Sequence, residues 1–474
     1  MKKGLLFYIV FLFIILPCIT AQTNKNSVSG SLVYYNGFNE ACTQDINHSL
    51  YCVRQLAADK EWGKSLLQDL LHGSFMPNLS SYREMNKTKV NGKELKKFNI
   101  ACTVLNEMVA DTCQLLSGNA TPIQYWVNAF LNENDPEYMS GLINDFISTQ
   151  LIPEHIYNYK TGSYALLIHK IISQKEHMYG LSRKILKEVR DKSVNAVSKS
   201  GKPGIHPSMK ERAYFRFLYA YCNYAEAQIN IEENYINKAN DLLKTAFDFS
   251  PDFSDIHNIE GFKNDMASLG IEDIDFFRVE YLDFLSTYAF EKEDILNSRL
   301  TLALDNPERY KKPLEYYYNN HFAGEKPFSE YWVESINSRG KEVPPFKFAK
   351  DDGTLFCSEE NQGKWVLLDF WGIWCAPCLR EQPEIERFYR NIVKPNEDKV
   401  ILHTMDCRDT KEQLTLHMNK YNYSFPVAME DKKILSLFNV SSWPTKILIT
   451  PQRRYLEIPA GADWVAFVKQ YAGL

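Results

Sequence analysis

The chain has 474 residues, more than one compact core usually holds, so we expect two or three folded units. Hydrophobic residues make up 45% of it, a share that indicates folded units. The formal net charge of -5 is small for this length, and nothing in it indicates binding to nucleic acid or to an anionic membrane surface. These values predict a soluble, weakly acidic protein that does not bind nucleic acid.

The first 21 residues differ from the rest of the chain. Lys2 and Lys3 precede a nearly unbroken apolar run over 4–19, and small residues suited to a cleavage site follow over 20–22. The run of about 16 residues is shorter than the roughly 20 that span a bilayer. We therefore expect a signal peptide at 1–21, and export of a bacterial protein to the periplasm or cell envelope.

Two other interpretations of this segment stay open. One is a retained membrane anchor, and the other is lipidation at Cys18, although Pro17 stands where that pathway requires a small residue. Export places the chain in an oxidising compartment, where cysteines serve as structural disulfides or as redox catalysts. Loss of Cys18 with the signal peptide leaves an odd number of cysteines, so at least one thiol stays free.

The region from about 30 to 320 has mainly helical periodicity. Its clearest stripe of apolar side chains, spaced by three and four residues, predicts a helix face packed in a core, and consists of Ile274, Phe277, Tyr281, Phe284, Leu285 and Tyr288. A second pattern, Ala227, Ala239, Ala246 and Pro251, weakly resembles one tetratricopeptide unit, and that resemblance implies a protein or peptide partner. An ordinary helical hairpin with alanines at a close crossing explains it equally well.

Five cysteines lie in this helical region. The short spacings of Cys42 with Cys52 and of Cys102 with Cys113 allow two local disulfides, but buried thiols remain the alternative. Cys222 lies between tyrosines on a helical pattern, which predicts a packed and inert thiol.

A loosened pattern over 322–345 predicts a domain boundary, because glycine and proline accumulate there. We place the signal peptide at 1–21, a helical region at 22–335 and an α/β domain at 336–474. In the last of these, strands alternate with helices, which favours a sheet covered by helices. The predicted strands are 365–371, 400–405 and 446–450, and the predicted helices are 378–392, 411–420 and 462–471.

The chemistry is carried by Cys375 and Cys378, which follow an apolar strand and open a helix. This spacing places both sulfurs in the first helical turn, where they can form a reversible disulfide. The unpaired N–H groups and partial positive charge of a helix N-terminus favour the thiolate of Cys375, which we expect to attack the substrate. Pro377 restricts the turn and removes an N–H donor near the sulfurs.

Cys378 must then lose a proton to resolve the mixed disulfide. Asp369, six residues before Cys375 on an inward-facing strand position, is the candidate base, because burial raises the pKa of a carboxyl group. The alternative is a structural acid that accepts hydrogen bonds from backbone donors. The exchange needs no bound cofactor and no metal.

The segment 369–378 resembles the active site of thioredoxin, and the frame over 341–474 resembles the exported TlpA/ResA-type branch of that superfamily. Features of the branch occur in order at Pro345-Phe346, Asp352-Gly353, Gly363-Lys364, Arg380, Glu381 and Pro383. Trp443-Pro444-Thr445 matches the cis-proline loop of the family. The resemblance implies a thioredoxin-like fold, so the whole chain is expected to be α plus α/β.

The resemblance also implies a function, a thiol-disulfide oxidoreductase that is more often a reductant. Its partners are then the thiols and disulfides of exported proteins and a membrane or periplasmic electron donor. Trp374, Trp443, Pro444 and Thr445 are the expected substrate-binding residues, and Pro377 and Glu381 support the site. The alternative function is a helical module that binds an envelope protein and carries an accessory thioredoxin-like domain.

The chain departs from the family pattern at three places. Trp443 replaces a smaller residue before the proline, which puts substrate access or partner choice in doubt. Gln452 and Arg453 replace a turn of the Asp-Gly type. Cys357 and Cys407 are additional cysteines, for which burial or mutual pairing is favoured over a redox role.

Three other kinds of site fit the residues less well. A c-type haem needs a histidine after the second cysteine, where this chain has Leu379. A structural zinc site needs a second close pair of ligands, and Cys357 and Cys407 are too isolated in sequence. A peroxiredoxin-type peroxidase needs a lone cysteine in a framework of proline and threonine.

Overall fold

A computed structural model of the chain describes residues 25–86, 92–198, 208–251, 253–322, 324, 326–350, 354–359, 363–429, 432–458 and 462–474. The expected signal peptide at 1–21 and the Asp352-Gly353 pair lie outside these residues. The described residues form two compact units, one from those up to Pro251 with Asn258–Phe277, the other from Asp252–His257 with Arg278–Leu474. No helix among the described residues is long and apolar enough to cross a membrane.

The first unit consists of helices around an aromatic and aliphatic core. Its elements are α1 (Lys25–Ala41), α2 (Ile46–Ala58), α3 (Gly63–Gln68), a π-helical segment (Asp69–Phe75), α4 (Met76–Asn86), α5 (Gly92–Val109), α6 (Gln114–Leu131), α7 (Pro136–Thr149), α8 (Pro153–Asn158), α9 (Thr161–Ile172), a 3₁₀ turn (Glu176–Met178), α10 (Tyr179–Ser198), α11 (Met209–Glu232), α12 (Ile236–Phe249) and α13 (Lys263–Leu269). A 3₁₀ segment (Phe253–Gly261) lies between α12 and α13 in the chain.

Side chains that satisfy backbone donors begin several of these helices. Asp45 accepts a hydrogen bond from the N–H of His48 at the start of α2, and Asp135 accepts two at the start of α7, where Pro136 takes the first helical position. A carboxylate suits this place because the first N–H groups of a helix have no partner within it.

The alanine pattern lies on a helical hairpin formed by α11 and α12. Ala227, Ala239 and Ala246 are fully buried, as a close crossing of two helices requires. Four residues of the aromatic stripe lie on one helix, α14 (Phe276–Thr287), and are buried: Phe277, Tyr281, Phe284 and Leu285. Ile274 precedes this helix, and Tyr288 follows it and is exposed, so the helix is shorter than the predicted stripe.

The local disulfides allowed by the spacing of the cysteines are not formed in this unit. Cys42 and Cys52 are buried free thiols, and Cys102 and Cys113 are partly exposed free thiols. Cys222 is fully buried, as predicted. Burial raises the pKa of Cys42 and of Cys102 to about 11, so these thiols are protonated at neutral pH.

The second unit contains the sheet. Its elements are most of α14, then α15 (Lys292–Asp305), α16 (Pro307–His321), α17 (Phe328–Arg339), β1 (Lys341–Glu342), β2 (Lys347–Ala349), β3 (Leu355–Cys357), β4 (Trp365–Trp371), α18 (Ala376–Phe388), a π-helical turn (Tyr389–Val393), a 3₁₀ turn (Lys394–Asn396), β5 (Val400–Asp406), α19 (Lys411–Tyr421), β6 (Val427–Met429), α20 (Lys432–Leu437), β7 (Thr445–Ile449), β8 (Arg454–Ile458) and α21 (Trp464–Ala472). These bounds confirm the predicted fold class, a helical region followed by an α/β domain.

The larger sheet has the strand order β1-β8-β7-β4-β5-β6. β4 is central, parallel to β5 and antiparallel to β7, and all seven of its residues are buried. Strands covered on both faces are nearly continuous runs of apolar residues, which explains the sequence of β4. β2 and β3 form a separate antiparallel pair.

Alternation along β4 sends successive side chains to opposite faces of the sheet. Leu367 and Trp371 join the hydrophobic cluster that contains Cys375 and Cys378. The alternate residues Val366, Leu368 and Phe370 join a second cluster on the other face. Asp369 has the same parity as Leu367, so it lies on the face of the cysteines.

The segment interpreted as a domain boundary contains a helix, α17. Trp332 and Ile336 are buried in the cluster that covers the cysteine face, and the Nε1–H of Trp332 donates to the carbonyl of Tyr471 at 3.2 Å. The unit that contains the sheet therefore begins earlier in the chain than residue 336. Phe328, Trp332 and Ile336 recur at a spacing of four, a helical signal that the surrounding glycines and prolines obscure.

Candidate active site

The redox pair lies where β4 ends and α18 begins. Cys375 occupies the N-cap of α18, and a disulfide joins it to Cys378, the one disulfide between described residues. The backbone N–H of Cys378 lies 3.3 Å from Sγ of Cys375, and Pro377 stands in the first helical turn. Cys375 is 4% exposed and Cys378 1%, so Cys375 is the more accessible of the two residues. The first sulfur thus lies where helix N–H groups stabilise a thiolate.

The loop after β5 holds the turn that precedes the cysteines. The N–H of Cys407 donates to the carbonyl of Trp371 at 2.7 Å, and the Nε1–H of Trp374 donates to the carbonyl of Cys407 at 2.7 Å. Oδ2 of Asp409 accepts from the N–H of Ile373 at 2.6 Å. Gly372 permits this approach, because a Cβ there would lie 2.8 Å from the carbonyl oxygen of Cys407.

Asp369 is buried on the strand that leads to the redox pair and has a lysine partner. Register pairs Asp369 on β4 with Lys446 on β7, and Nζ of Lys446 lies 3.1 Å from Oδ1 of Asp369. The same Nζ lies 2.5 Å from Oε2 of Glu381 on α18. Lys446 and Asp369 are buried, whereas the side chain of Glu381 is 34% exposed. The lysine therefore links a buried carboxyl group to one at the surface.

Burial raises the pKa of Asp369, because a carboxylate is poorly solvated inside the protein, and Lys446 opposes this rise without cancelling it. For Lys446, burial lowers the pKa, but the carboxylates of Asp369 and Glu381 outweigh burial, and its pKa is raised. The lysine stays charged at neutral pH, and Asp369 is more easily protonated than an exposed aspartate.

The predicted substrate loop lies across from the redox turn. The Trp443-Pro444 peptide bond is cis, and Oγ1 of Thr445 donates to the carbonyl of Ser442 at 2.8 Å. The rings of Trp443 and Trp374 meet edge to face with their centroids 5.3 Å apart. The guanidinium carbon of Arg408 lies 4.8 Å from the ring centroid of Trp374 and 4.3 Å from that of Trp443.

The structure brings most predicted site residues to one place and adds two that the sequence analysis missed. Cys375, Cys378 and Asp369 share one face of the sheet, and Trp374 touches Trp443. Lys446 and Arg408 are the additions. Lys446 could have been found from the sequence, because it is a lone charge at the start of a strand that is otherwise apolar. No local pattern identifies Arg408, because only the folded structure brings it to the tryptophans.

The two additional cysteines of the domain are not part of the redox disulfide. Cys407 is fully buried, and its thiol donates to the carbonyl of Met405 at 3.5 Å. Cys357 lies partly exposed on β3. Within the described parts of the chain, His, Cys, Asp and Glu side chains form no group of three that would suit a metal ion.

Comparisons with known proteins agree with this geometry. A family model described as Thioredoxin-like matches residues 363–455. The thiol-disulfide oxidoreductase ResA of Bacillus subtilis strain 168 is 28% identical over 158 residues, which are 33% of this chain and 82% of that protein. ResA of Bacillus thuringiensis strain Al Hakam is 33% identical over 119 residues, which are 25% of this chain and 67% of that protein.

Some solved structures are also similar to part of this chain. The thioredoxin domain of a thiol-disulfide oxidoreductase from Bacteroides vulgatus is 18% identical and covers 28% of this chain and 96% of that chain, with a TM-score of 0.26.

Proposed function

Because this chain belongs to the thioredoxin-like family of thiol-disulfide oxidoreductases that includes ResA, we propose that its Cys375–Cys378 pair reduces disulfides of exported proteins. The observation that carries the proposal is the place of Cys375, at the N-cap of α18 with a backbone N–H directed at its sulfur. Thiolate stabilisation at this atom makes it the nucleophile.

The exchange has two steps. The Cys375 thiolate attacks one sulfur of the substrate disulfide, a mixed disulfide forms, and the other substrate sulfur leaves as a thiolate that takes up a proton. Cys378 then attacks Sγ of Cys375, the mixed disulfide breaks, and the second substrate sulfur leaves. Two electrons pass to the substrate, and the protein is left with a Cys375–Cys378 disulfide, which a donor dithiol reduces again.

Asp369 is the proposed base for the second step. The raised pKa supports this role, since a carboxyl group with a pKa nearer neutrality exchanges a proton with a thiol more readily. The ammonium group of Lys446 stabilises the carboxylate of Asp369 in its deprotonated form. Glu381, which is partly exposed, pairs with the same lysine. Asp369 thus acts on the proton of Cys378, and Lys446 positions and balances it.

The cis-proline loop is the proposed substrate platform. Backbone groups near Pro444 and Thr445 pair with an extended substrate segment, while Trp374 and Trp443 supply apolar contact area. Pro377 keeps an N–H donor away from the sulfurs. The substrates would be the thiols and disulfides of exported proteins in the periplasm or cell envelope, and the reductant would be a membrane or periplasmic donor.

A trapping experiment tests the two-step exchange. Cys378→Ser should accumulate mixed disulfides with a model substrate such as insulin, because the first step proceeds and the second cannot. Cys375→Ser should form none, which makes it the matched control. Turnover in Cys375→Ser would contradict the mechanism.

The reduction potential of the pair tests the direction of electron flow. Equilibration in glutathione or dithiothreitol buffers, with counting of thiols, should give a value near or below about -250 mV for a reductant. A value near about -120 mV would identify an oxidant instead.

A further inference from the structure

An exposed cation lies on the aromatic surface beside the redox pair. The guanidinium of Arg408 lies over the rings of both Trp374 and Trp443, at distances where a cation is attracted to an indole face. Trp374 immediately precedes Cys375 and is 46% exposed, and Trp443 packs against the cluster that contains both cysteines. The three side chains form one surface at the entrance to the disulfide.

Arg408 forms no ion pair with a carboxylate of the described residues. The acid next to it in sequence, Asp409, accepts the N–H of Ile373 with Oδ2 and so serves the redox turn. Arg408 itself is exposed, although its two aromatic contacts hold its orientation. A guanidinium held over aromatic rings still has N–H groups that can donate to a carboxylate.

The backbone conformation of Arg408 is a second indication that its side chain has a role. Its φ is 73°, in the left-handed region that favours glycine and costs an arginine about 1–2 kcal/mol. Glycine would adopt this backbone without strain, so arginine occupies the position at a cost in backbone free energy. The contacts of Arg408 with the two tryptophans offset part of this cost. They leave its charge exposed and able to bind an anionic group.

We propose that Arg408, with Trp374 and Trp443, binds an acidic side chain that flanks the disulfide of a protein substrate. The inference deepens the proposed function and rests on it, because the substrate meant is the one that Cys375 attacks. The partner class is an extended polypeptide segment with Asp or Glu near its disulfide. The carboxylate pairs with the guanidinium, while the neighbouring apolar groups contact the indole rings.

Two peptides test this proposal on the full reduced chain. Each contains one intrachain disulfide, and they differ only in Glu or Gln beside one cysteine. At low ionic strength we expect the Glu peptide to be reduced about fivefold to tenfold faster, and we expect added salt to narrow this ratio. The rate is followed by the release of peptide thiols.

Variants of one residue distinguish docking from a structural role. Arg408→Gln should bring the ratio of the two rates to one, whereas Arg387→Gln, which removes an exposed arginine from α18, should leave it unchanged. If Arg408 only supports the tryptophans, Arg408→Gln slows both peptides equally and the ratio persists, which overturns the proposal. Equal rates in the unchanged protein overturn it as well.

The reduction of insulin separates this inference from the proposed function. Insulin reduced normally, with no preference between the peptides, refutes the acidic docking site and leaves the exchange mechanism intact. No reduction of insulin or of either peptide refutes both.

Discussion

Cys222 in the helical unit and Cys378 in the sheet unit are buried to the same extent, at 0% and 1% exposed, but their surroundings differ. Cys222 lies in the interior of α11, where backbone N–H groups are already used, and burial raises the pKa of its thiol. Cys375 and Cys378 lie in the first turn of α18, where N–H groups are available to a sulfur. We therefore expect position along a helix, more than burial, to decide which thiol of this chain is reactive.

Alkylation of the reduced protein tests this difference between the two units, and it is the test with the largest expected effect. We expect iodoacetamide at pH 7 to modify Cys375 more than about a thousandfold faster than Cys222, because a thiolate reacts and a buried thiol does not. Mass spectrometry of peptides over time measures both rates. In urea the two rates should converge, and equal rates in the folded protein would contradict the comparison.

Asp369→Asn tests the proposed transfer of a proton from Cys378 to Asp369, and its expected effect is the next largest. Release of the mixed disulfide should slow by about a hundredfold to a thousandfold, because the base is lost. Stopped-flow mixing with a model disulfide separates the two steps. Alkylation of Cys375 in the same variant is the control and should keep its rate, whereas equal slowing of both steps would assign Asp369 a structural role.

The same variant tests whether the pKa of Asp369 is raised in the folded protein. A carboxyl group with a raised pKa in the folded state adds stability below its unfolded pKa of about 3.9 and loses that contribution as pH rises through the folded pKa. The unfolding free energy of Asp369→Asn, relative to the unchanged protein, should therefore increase across this window. Urea titrations from pH 3.5 to 8 measure it, and a relative decrease would reverse the assignment.

Gly372→Ala tests the close packing of the redox turn. The added Cβ would lie 2.4 Å from Nε1 of Trp374 and 2.8 Å from the carbonyl oxygen of Cys407, so the turn or the loop must move. We expect a loss of about 1–3 kcal/mol of unfolding free energy, together with slower disulfide exchange. Urea unfolding and insulin reduction measure the two effects, and an unchanged protein would show that the contact is dispensable.

Gly141→Ala is the matched change in the helical unit, with the smallest expected effect. Gly141 lies in the interior of α7, and a Cβ there would meet nothing within 4 Å. Alanine should therefore stabilise the protein by about 0.5–1 kcal/mol, since it restricts the unfolded chain, and disulfide exchange should not change. A loss of stability would contradict this view of an open helix surface.

Local patterns predicted the central elements of the sheet unit well. The predicted strand at 365–371 coincides with β4, and the Cys-x-x-Cys spacing located the start of α18, because both signals lie within a few neighbouring residues. Asp369 was expected at an inward-facing position of this strand, and it is 1% exposed. The disulfide between Cys375 and Cys378 follows from the same local spacing.

Contacts between distant parts of the chain were not predictable in this way. Lys446 was predicted only as the first residue of a strand, and the register of β7 against β4 shows that Asp369 and Glu381 compensate the burial of its charge. Arg408 contacts two tryptophans that are remote from it in sequence. The cysteine spacings in the helical region allowed bridges, but spacing alone does not fix the distance between two sulfur atoms.

The ion pair across β4 and β7 has an evolutionary consequence. Replacing Asp369 alone leaves Lys446 with Glu381 as its remaining carboxylate partner, and replacing Lys446 alone leaves a buried carboxylate without its cation. Two apolar or neutral residues in register avoid both penalties. Among relatives of this chain, positions 369 and 446 should therefore change together, and lineages that lose the lysine should carry an uncharged partner or a differently compensated acid.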